Sequence, residues 1–539
     1  MTANFTSGKT AGRRINAAKL LALLCQLMLI FTHIIACSAQ DESELRRIVE
    51  STTDPRAQAK LTKQMGDQYI SQDKYPEASQ AYTQALNSDR SGFSIGDRVR
   101  MGVYIYWADR LIDAIREFRL VLKEEPNNLE ARTHLARTLS WSGELSEAIQ
   151  EADLVLKNAP DNRDALIIKA DALRWRDKID QATPIYQSLI AKSGDFDAQL
   201  GMSYSRLAVG DRTGAIDIAK PLKPTTFAQQ REYNKLVDTI EKETNPRFDA
   251  RYLYYRDSDK NQLNRYFLSH AFWWQNWSLE TSYKHTDANN EPGQNPTTNP
   301  SRSNRAEDLL FKVYHNVTDN VGLGASLGFN QLGDGRTTTQ PIGQFRADAK
   351  IWNGTIGIGV TREVSTDTAQ LIHNRIRATS VGWSASQALT DRLSIKPAYA
   401  YKSISDGSAA DDFQFNTEYA LLFDPKILVG HRFRYLDYRG QKGSGQFDPD
   451  NYIANRAFLS LYMQRPKYYA YAEAFLGHQK FRRNGFPTAD FVKGGAASLG
   501  LTPTRNWTFE IYGEGGNFAA SSASGFTYFM VGPRVIYRF

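Results

Sequence analysis

Chemistry needs particular side chains at particular spacings, and this chain of 539 residues offers few such sets. Asp257, Asp259 and Asn261 of "DSDKN" have the D-x-D-x-N opening of a calcium loop. Such a loop needs glycine at position six and a bidentate glutamate at position twelve, but Gln262 and Leu268 stand there. "FDPDN" (447–451) carries further carboxylates and reads as a solvated loop. "GTIGIG" (354–359) is glycine-rich, yet a phosphate cradle opens a helix and this run alternates like a strand. The eight histidines are scattered, with no pair at metal-ligand spacing. His315 and His431 fall on the apolar side of their segments. No nucleophile–base set stands out. The expectation is a protein with no catalytic residues, no metal and no cofactor.

The informative polar residues follow a period instead of a motif. From Phe248 onward, apolar and polar residues alternate, as in "NWSLETSYKH" and "GQFRADAKIW". Alternation puts Arg251, Glu280, Lys284, Lys312, Arg346, Asp348, Lys350, Glu418, Arg432 and Arg434 on the polar face. Glu510, Tyr512, Glu514 and Arg534 fall on the same face near the end of the chain. Asp249, Asp308, Lys402, Arg538, Tyr314 and Tyr438 extend the set. Tyrosine rings offer stacking surfaces for sugars, and flanking charges offer hydrogen bonds to hydroxyls.

Sixteen alternating segments can be counted, starting near residues 248, 262, 276, 307, 321, 341, 354, 374, 393, 411, 427, 452, 468, 488, 506 and 526. One set of connections is short, such as "TDN", "WNG" and "QRPK"; the other is longer and polar, such as residues 287–305. An even number of segments about 10 residues long, with short turns on one side only, predicts a membrane-spanning antiparallel β-barrel. The polar face then lines the lumen. Trp274, Trp277, Trp352, Phe423, Tyr468, Tyr469 and Trp507 cluster by the short turns, where an interfacial aromatic girdle belongs. The last segment, "VGPRVIYRF", should close against the first. Its aromatic end, Tyr537 and Phe539, resembles the signal read by the outer-membrane barrel-assembly machinery.

Ahead of the barrel the period is helical. "YPEASQAYTQAL", "LIDAIREFRLVLKEEP", "LSEAIQEADLVLKNAP" and "IDQATPIYQSLI" align on Ala78, Ala114, Ala148 and Ala182, the last three 34 residues apart. A small residue stands twelve positions before each: Gly66, Gly102, Ala136 and Ala170. A weaker unit centres on Ala215, and residues 226–242 read as a polar capping helix. Pairs of helices at this period stack into a solenoid whose concave face suits a protein partner.

The head carries Arg13, Arg14 and Lys19, then the apolar run "LLALLCQLMLIFTHIIA", as in a secretory signal. "IIAC" (34–37) matches a lipobox, which would lipidate Cys37; "CSA" (37–39) suits ordinary cleavage. The predicted domains are a leader over 1–39, a solenoid over 40–245 and a barrel over 246–539. The net charge of +7 comes without any run of five basic residues, so no nucleic-acid partner is expected.

The 34-residue units resemble tetratricopeptide repeats. With the leader and the barrel they resemble the exopolysaccharide-export porins of the outer membrane, such as the poly-N-acetylglucosamine exporter and the cellulose-export subunit. That resemblance implies periplasmic repeats that dock secretion or modification proteins, and a barrel that conducts exopolysaccharide through the outer-membrane lipid. Those families carry more repeats than the four or five found here. Outer-membrane barrel proteins of the YaiO type fit comparably well, and a non-conducting surface anchor or adhesin is the alternative role.

Overall fold

The computed structural model describes residues 43–291, 302–333, 337–440, 445–483, 486–518 and 527–539. The leader with Cys37 lies outside them, as do residues 292–301 of the 287–305 loop. The chain forms two compact units that part after Trp141.

In the first unit, helices pair antiparallel. Helix Ile95–Trp107 packs on Leu111–Glu124. Ser94 caps the first: its hydroxyl accepts the Asp97 N–H at 3.1 Å and donates to the Asp97 carboxylate at 2.7 Å. Ala114 is fully buried, and Gly102 lies against the buried Phe118 ring. A Cβ at position 102 would stand 2.6 Å from that ring, and one at Gly66 equally close to Tyr82. Close approach of two helices explains the recurrent small residue. The buried Arg98 pairs with Glu117 at 2.6 Å and Glu124 at 2.7 Å.

The second unit begins with further helices of the same kind, from Leu145–Asn158 to Arg212–Ala219. The last, Phe227–Thr244, buries Leu236 and Ile240 on Ala219 and Leu222, and so covers the end of the stack.

Strands follow without a break. The first eight are β1 (Arg247–Asp257), β2 (Asn261–Trp274), β3 (Trp277–Asn290), β4 (Arg302–Thr318), β5 (Val321–Gly333), β6 (Thr337–Ile351), β7 (Gly354–Val364) and β8 (Arg377–Ala388). The rest are β9 (Leu393–Ile404), β10 (Ala409–Phe423), β11 (Lys426–Arg439), β12 (Asp450–Arg465), β13 (Tyr468–Arg483), β14 (Phe486–Leu501), β15 (Trp507–Gly516) and β16 (Tyr528–Arg538). Each pairs antiparallel with the next, and β16 returns to β1, with Phe248 opposite Tyr537 and Tyr254 opposite Val531. The sheet is a closed barrel of sixteen strands. The predicted starts agree to within a few residues; β4 begins at Arg302 instead of 307 and β6 at Thr337 instead of 341.

Alternate side chains point away from the barrel axis. Leu327 is 74% exposed there and Phe491 58%, and Phe311, Ile358 and Leu476 stand out likewise. Leaving such a band in water forfeits about 25 cal/mol per Å². Lipid removes that penalty, and only a closed sheet tolerates lipid, as in outer-membrane barrels.

Trp274, Trp277, Trp352, Tyr468 and Trp507 are exposed beside the short turns, and His315 stacks on Trp277 at 4.3 Å. Two members of the expected girdle are placed otherwise. Tyr469 points into the lumen, where its hydroxyl donates to Glu510 at 2.8 Å. In "YYAYAEAF" the lipid-facing positions after Tyr468 are alanines, so the larger tyrosines mimic the outer face. Phe423 lies under Gly143 and the Arg392 guanidinium. Asp257 of the failed calcium motif accepts the Asp259 and Asn261 N–H groups, both at 3.0 Å, and so closes the β1–β2 turn.

Gly102→Val should lower the stability of the helical repeats by about 1–3 kcal/mol, because the buried Phe118 ring has no room to retreat. Thermal melting followed by helical circular dichroism should move down by several degrees, while the heat-modifiable migration of the barrel stays unchanged.

Candidate conduit through the barrel

The residues predicted to line the lumen lie on inward-facing positions, and most are held in pairs across neighbouring strands. Lys312 donates to Glu280 at 2.8 Å and Lys284 to Asp308 at 2.5 Å. Arg346 holds Asp348 at 2.7 Å on its own strand. Lys396 reaches Glu418 at 2.7 Å, Arg432 reaches Glu473 at 2.5 Å and Arg434 reaches Asp412 at 2.9 Å. Arg534 bridges Asp249 at 2.5 Å and Glu510 at 3.5 Å. Glu514 accepts the hydroxyls of Tyr512 and Tyr528. Arg251 rests on the Phe267 ring at 4.4 Å. Tyr438 is buried and Tyr314 faces the lumen half-exposed.

Several lumen residues were not foreseen: Lys396, Asp412, Arg456, Tyr471, Glu473 and Tyr528. The alternation that found the others would have found Asp412, whose neighbours Asp411 and Phe413 face outward. It gives no partners, because pairing requires knowing which strands are adjacent.

The two sides of the lumen differ. Along β7–β9 the inward positions include Gly357, Gly359, Ser380, Gly382, Ser384 and Ala400, which leave a hollow of about 340 Å³ edged by Arg346, Lys402 and Asp412. Facing it across the lumen, β13, β15 and β16 carry the tyrosines and carboxylates. The β7–β9 wall is therefore hollow in its middle, between Arg346 and Lys402, while β13, β15 and β16 present hydroxyls and carboxylates.

At the long-loop end the lumen is filled from within. Between β7 and β8, residues 365–376 turn inward, and Thr368 caps a short helix, Ala369–His373. Leu371 and Ile372 are 0% exposed. Ala369 and Ile372 pack with Ala288, Ala306, Leu332 and Ile342 of β3–β6. Leu371 and Ile376 pack with Ile404, Leu436, Tyr452 and Phe481 of β9 and β11–β13. Burying one leucine and one isoleucine this way contributes about 1.5–3 kcal/mol each.

Phe447 and Asp448 of "FDPDN" are buried in the same plug, with the Phe447 ring 5.5 Å from Phe481 and 5.6 Å from Tyr452. This segment is therefore not a solvated loop: an apolar ring beside a wide lumen buries itself by folding inward. Phe518 completes the plug, edge-on to Phe475 at 5.1 Å and beneath Arg456 at 4.1 Å.

At the opposite rim, helical repeats sit on the short turns in register. The Ser146 N–H and hydroxyl donate to Asp391 at 2.6 and 2.9 Å, and Glu144 pairs with Arg392, both in the β8–β9 turn. Asp177, 34 residues after Gly143, pairs with Lys350 at the β6–β7 turn at 2.7 Å. The Val209 carbonyl accepts the Asn316 amide at 2.5 Å beside the β4–β5 turn. Asp211 accepts Asn276 of the β2–β3 turn at 3.2 Å. Successive helix–helix turns thus step along successive hairpins. Hairpins recur every two strands, about 10 Å, close to the 8–10 Å spacing of packed helices. Arg212 lies over Trp273 at 5.5 Å, and burial there pulls its pKa down against the pull of Glu243.

Comparison with known proteins adds the following. Residues 108–172 match the tetratricopeptide-repeat family model. These helices are tetratricopeptide repeats. The search of curated proteins gave no match. Among solved structures, a bacterial polysaccharide outer membrane secretin is similar at 10% identity and a TM-score of 0.43, over 55% of this chain and 99% of that one. CdiB from Acinetobacter baumannii is similar at 11% identity and a TM-score of 0.34, over 55% and 60%. A tetratricopeptide repeat protein from Parabacteroides merdae ATCC 43184 is similar at 18% identity and a TM-score of 0.33, over 38% and 79%.

Asp391→Ala removes two hydrogen bonds to Ser146 and the 3.5 Å pair with Arg176. The seating of the repeats on the rim should weaken by about 2–3 kcal/mol. Limited proteolysis of the detergent-solubilised protein should then cut residues 142–245 faster, with the barrel core resisting as before.

Proposed function

We propose that this chain is an outer-membrane export porin that conducts a secreted polysaccharide, with its repeats on the periplasmic side. The observation that carries the reading is the pair of lumen walls. A pyranose ring presents C–H faces that stack on tyrosine and hydroxyls that bond to carboxylates and guanidinium groups. Tyr469, Tyr471 and Tyr512 stand beside Glu510, Glu473 and Glu514 in this manner. The small residues of the β7–β9 wall leave room for a polymer between Arg346 and Lys402. Charges of both signs, paired at short range, hold no long stretch of one sign to trap a chain in transit.

The repeats suit a docking role for periplasmic secretion or modification proteins, since their concave face is built from stacked helix pairs. The chain is read as a conduit, and no catalytic step is assigned to it. A second reading, a non-conducting surface anchor, is favoured by the apolar plug at the long-loop end.

Planar-bilayer recordings of the purified full-length protein separate the two. With the plug freed, the export reading expects discrete conductance steps that neutral oligosaccharides block in a concentration-dependent way. Tyr512→Ala together with Tyr469→Ala should weaken that block by roughly tenfold, from two lost stacking contacts of about 0.5–1.5 kcal/mol each. A bilayer silent at every voltage, under conditions that also free the plug, supports the anchor.

A further inference from the structure

We infer that residues 365–376 form a gate that closes the long-loop end of the lumen and swings out as one body when a polymer advances from the short-turn side. The segment is closed upon itself. The Ser365 N–H donates to the Ile376 carbonyl at 2.8 Å, which pins its two ends together. Within it, the Ile376 N–H donates to Leu371 and the Asn374 N–H to Gln370, at 3.1 and 2.8 Å. The Leu371 N–H donates to the Thr368 hydroxyl at 3.1 Å. Much of its backbone bonding is therefore internal, and both ends join the neighbouring strands β7 and β8. Displacement leaves every ladder of the barrel intact.

Side-chain ties hold the segment across the lumen, among them those of Arg265, Lys284 and Asn304. Arg265 of β2 donates to Asp367 at 2.6 Å and to the Thr366 carbonyl at 3.1 Å. Asn304 of β4 donates to the Ala369 carbonyl at 2.7 Å. The remaining seal is apolar: Ile372 against alanine, leucine and isoleucine side chains of β3–β6, and Leu371 against Ile404, Leu436 and the rings of Phe447, Tyr452 and Phe481. An apolar constriction in a wide aqueous pore closes it by excluding water, and wetting or displacement opens it. This segment touches the far wall through side chains, among them the Arg265–Asp367 salt bridge that serves as its latch. The segment lies across the path that a chain advancing from the short-turn side would take. The gate stands on this geometry alone; its opening by a glycan rests on the proposed function.

Ion conductance tests it without reference to the cargo. In one variant residues 367–374 are replaced by a short glycine–serine linker; in a second, Leu371→Ser and Ile372→Ser are combined. Each should conduct at least about tenfold more current per inserted molecule than the parent protein, as expected when an apolar seal is wetted. The serine variant keeps the test valid if the linker variant fails to give a heat-modifiable barrel. Conversely, Asn304→Cys with Ala369→Cys should stay closed when oxidised, even with oligosaccharide on the short-turn side, and open on reduction. Folded variants that conduct no more than the parent overturn the gate, as does an oxidised pair that conducts like the reduced one. Variants that conduct freely yet are untouched by oligosaccharides uphold the gate and overturn polysaccharide export.

Discussion

Every other feature of the second unit depends on the ladder between β16 and β1. An open sheet edge in hydrocarbon leaves a row of N–H and C=O groups unsatisfied, each at a cost of several kcal/mol, so the sheet must close. Closing sixteen strands at the usual tilt gives a cylinder with a radius of about 15 Å. Such a cylinder is too wide for its own wall side chains to fill. Its interior must then be wet and charge-balanced, or packed by chain folded in from an end, and this protein does both. Toward the short turns, arginine–carboxylate pairs and tyrosines line the wall. Toward the long loops, Leu371, Ile372, Phe447 and Phe518 pack the space.

Closure also sets the spacing at the rim. Hairpin turns recur around the circle at nearly the pitch of stacked helix pairs. Helices ahead of the barrel can therefore rest on it turn by turn, from Ser146 on Asp391 to Asp211 on Asn276. Residues 142–245 belong with the barrel as a compact unit, although their secondary structure belongs with the helices before them. The change of period near Pro246 marks a change of secondary structure, and the boundary of compactness lies elsewhere.

What was legible in the sequence follows from which rules act locally. Alternation is local, so the strands and the inward faces of Glu280, Arg346 and Arg534 could be read directly. The 34-residue period is nearly local, and it locates Ala114, Ala148 and Ala182, with Ala78 36 residues before the first. Pairing is not local: nothing near Arg432 names Glu473, two strands away. Size misled in β13, where alanines face lipid and Tyr469 faces the lumen. The plug escaped notice because "TAQLIH" is too short to show a period, and its apolar pair sits in an otherwise polar connection. A capping threonine followed by Leu371 and Ile372 was the available signal.

The account joins a hydrogen-bonding lumen, a seated collar of repeats and a gate into one path through the barrel. Its most direct test is a cryo-electron microscopy map of the full chain in lipid nanodiscs with a bound oligosaccharide. The account predicts glycan density inside the barrel, between Tyr469 and Tyr512 on one side and the glycine–serine wall of β7–β9 on the other. It also predicts that residues 365–376 leave their seat on Ala306 and Leu332. Glycan density confined to the exterior, with those residues still seated and the lumen empty, would contradict it.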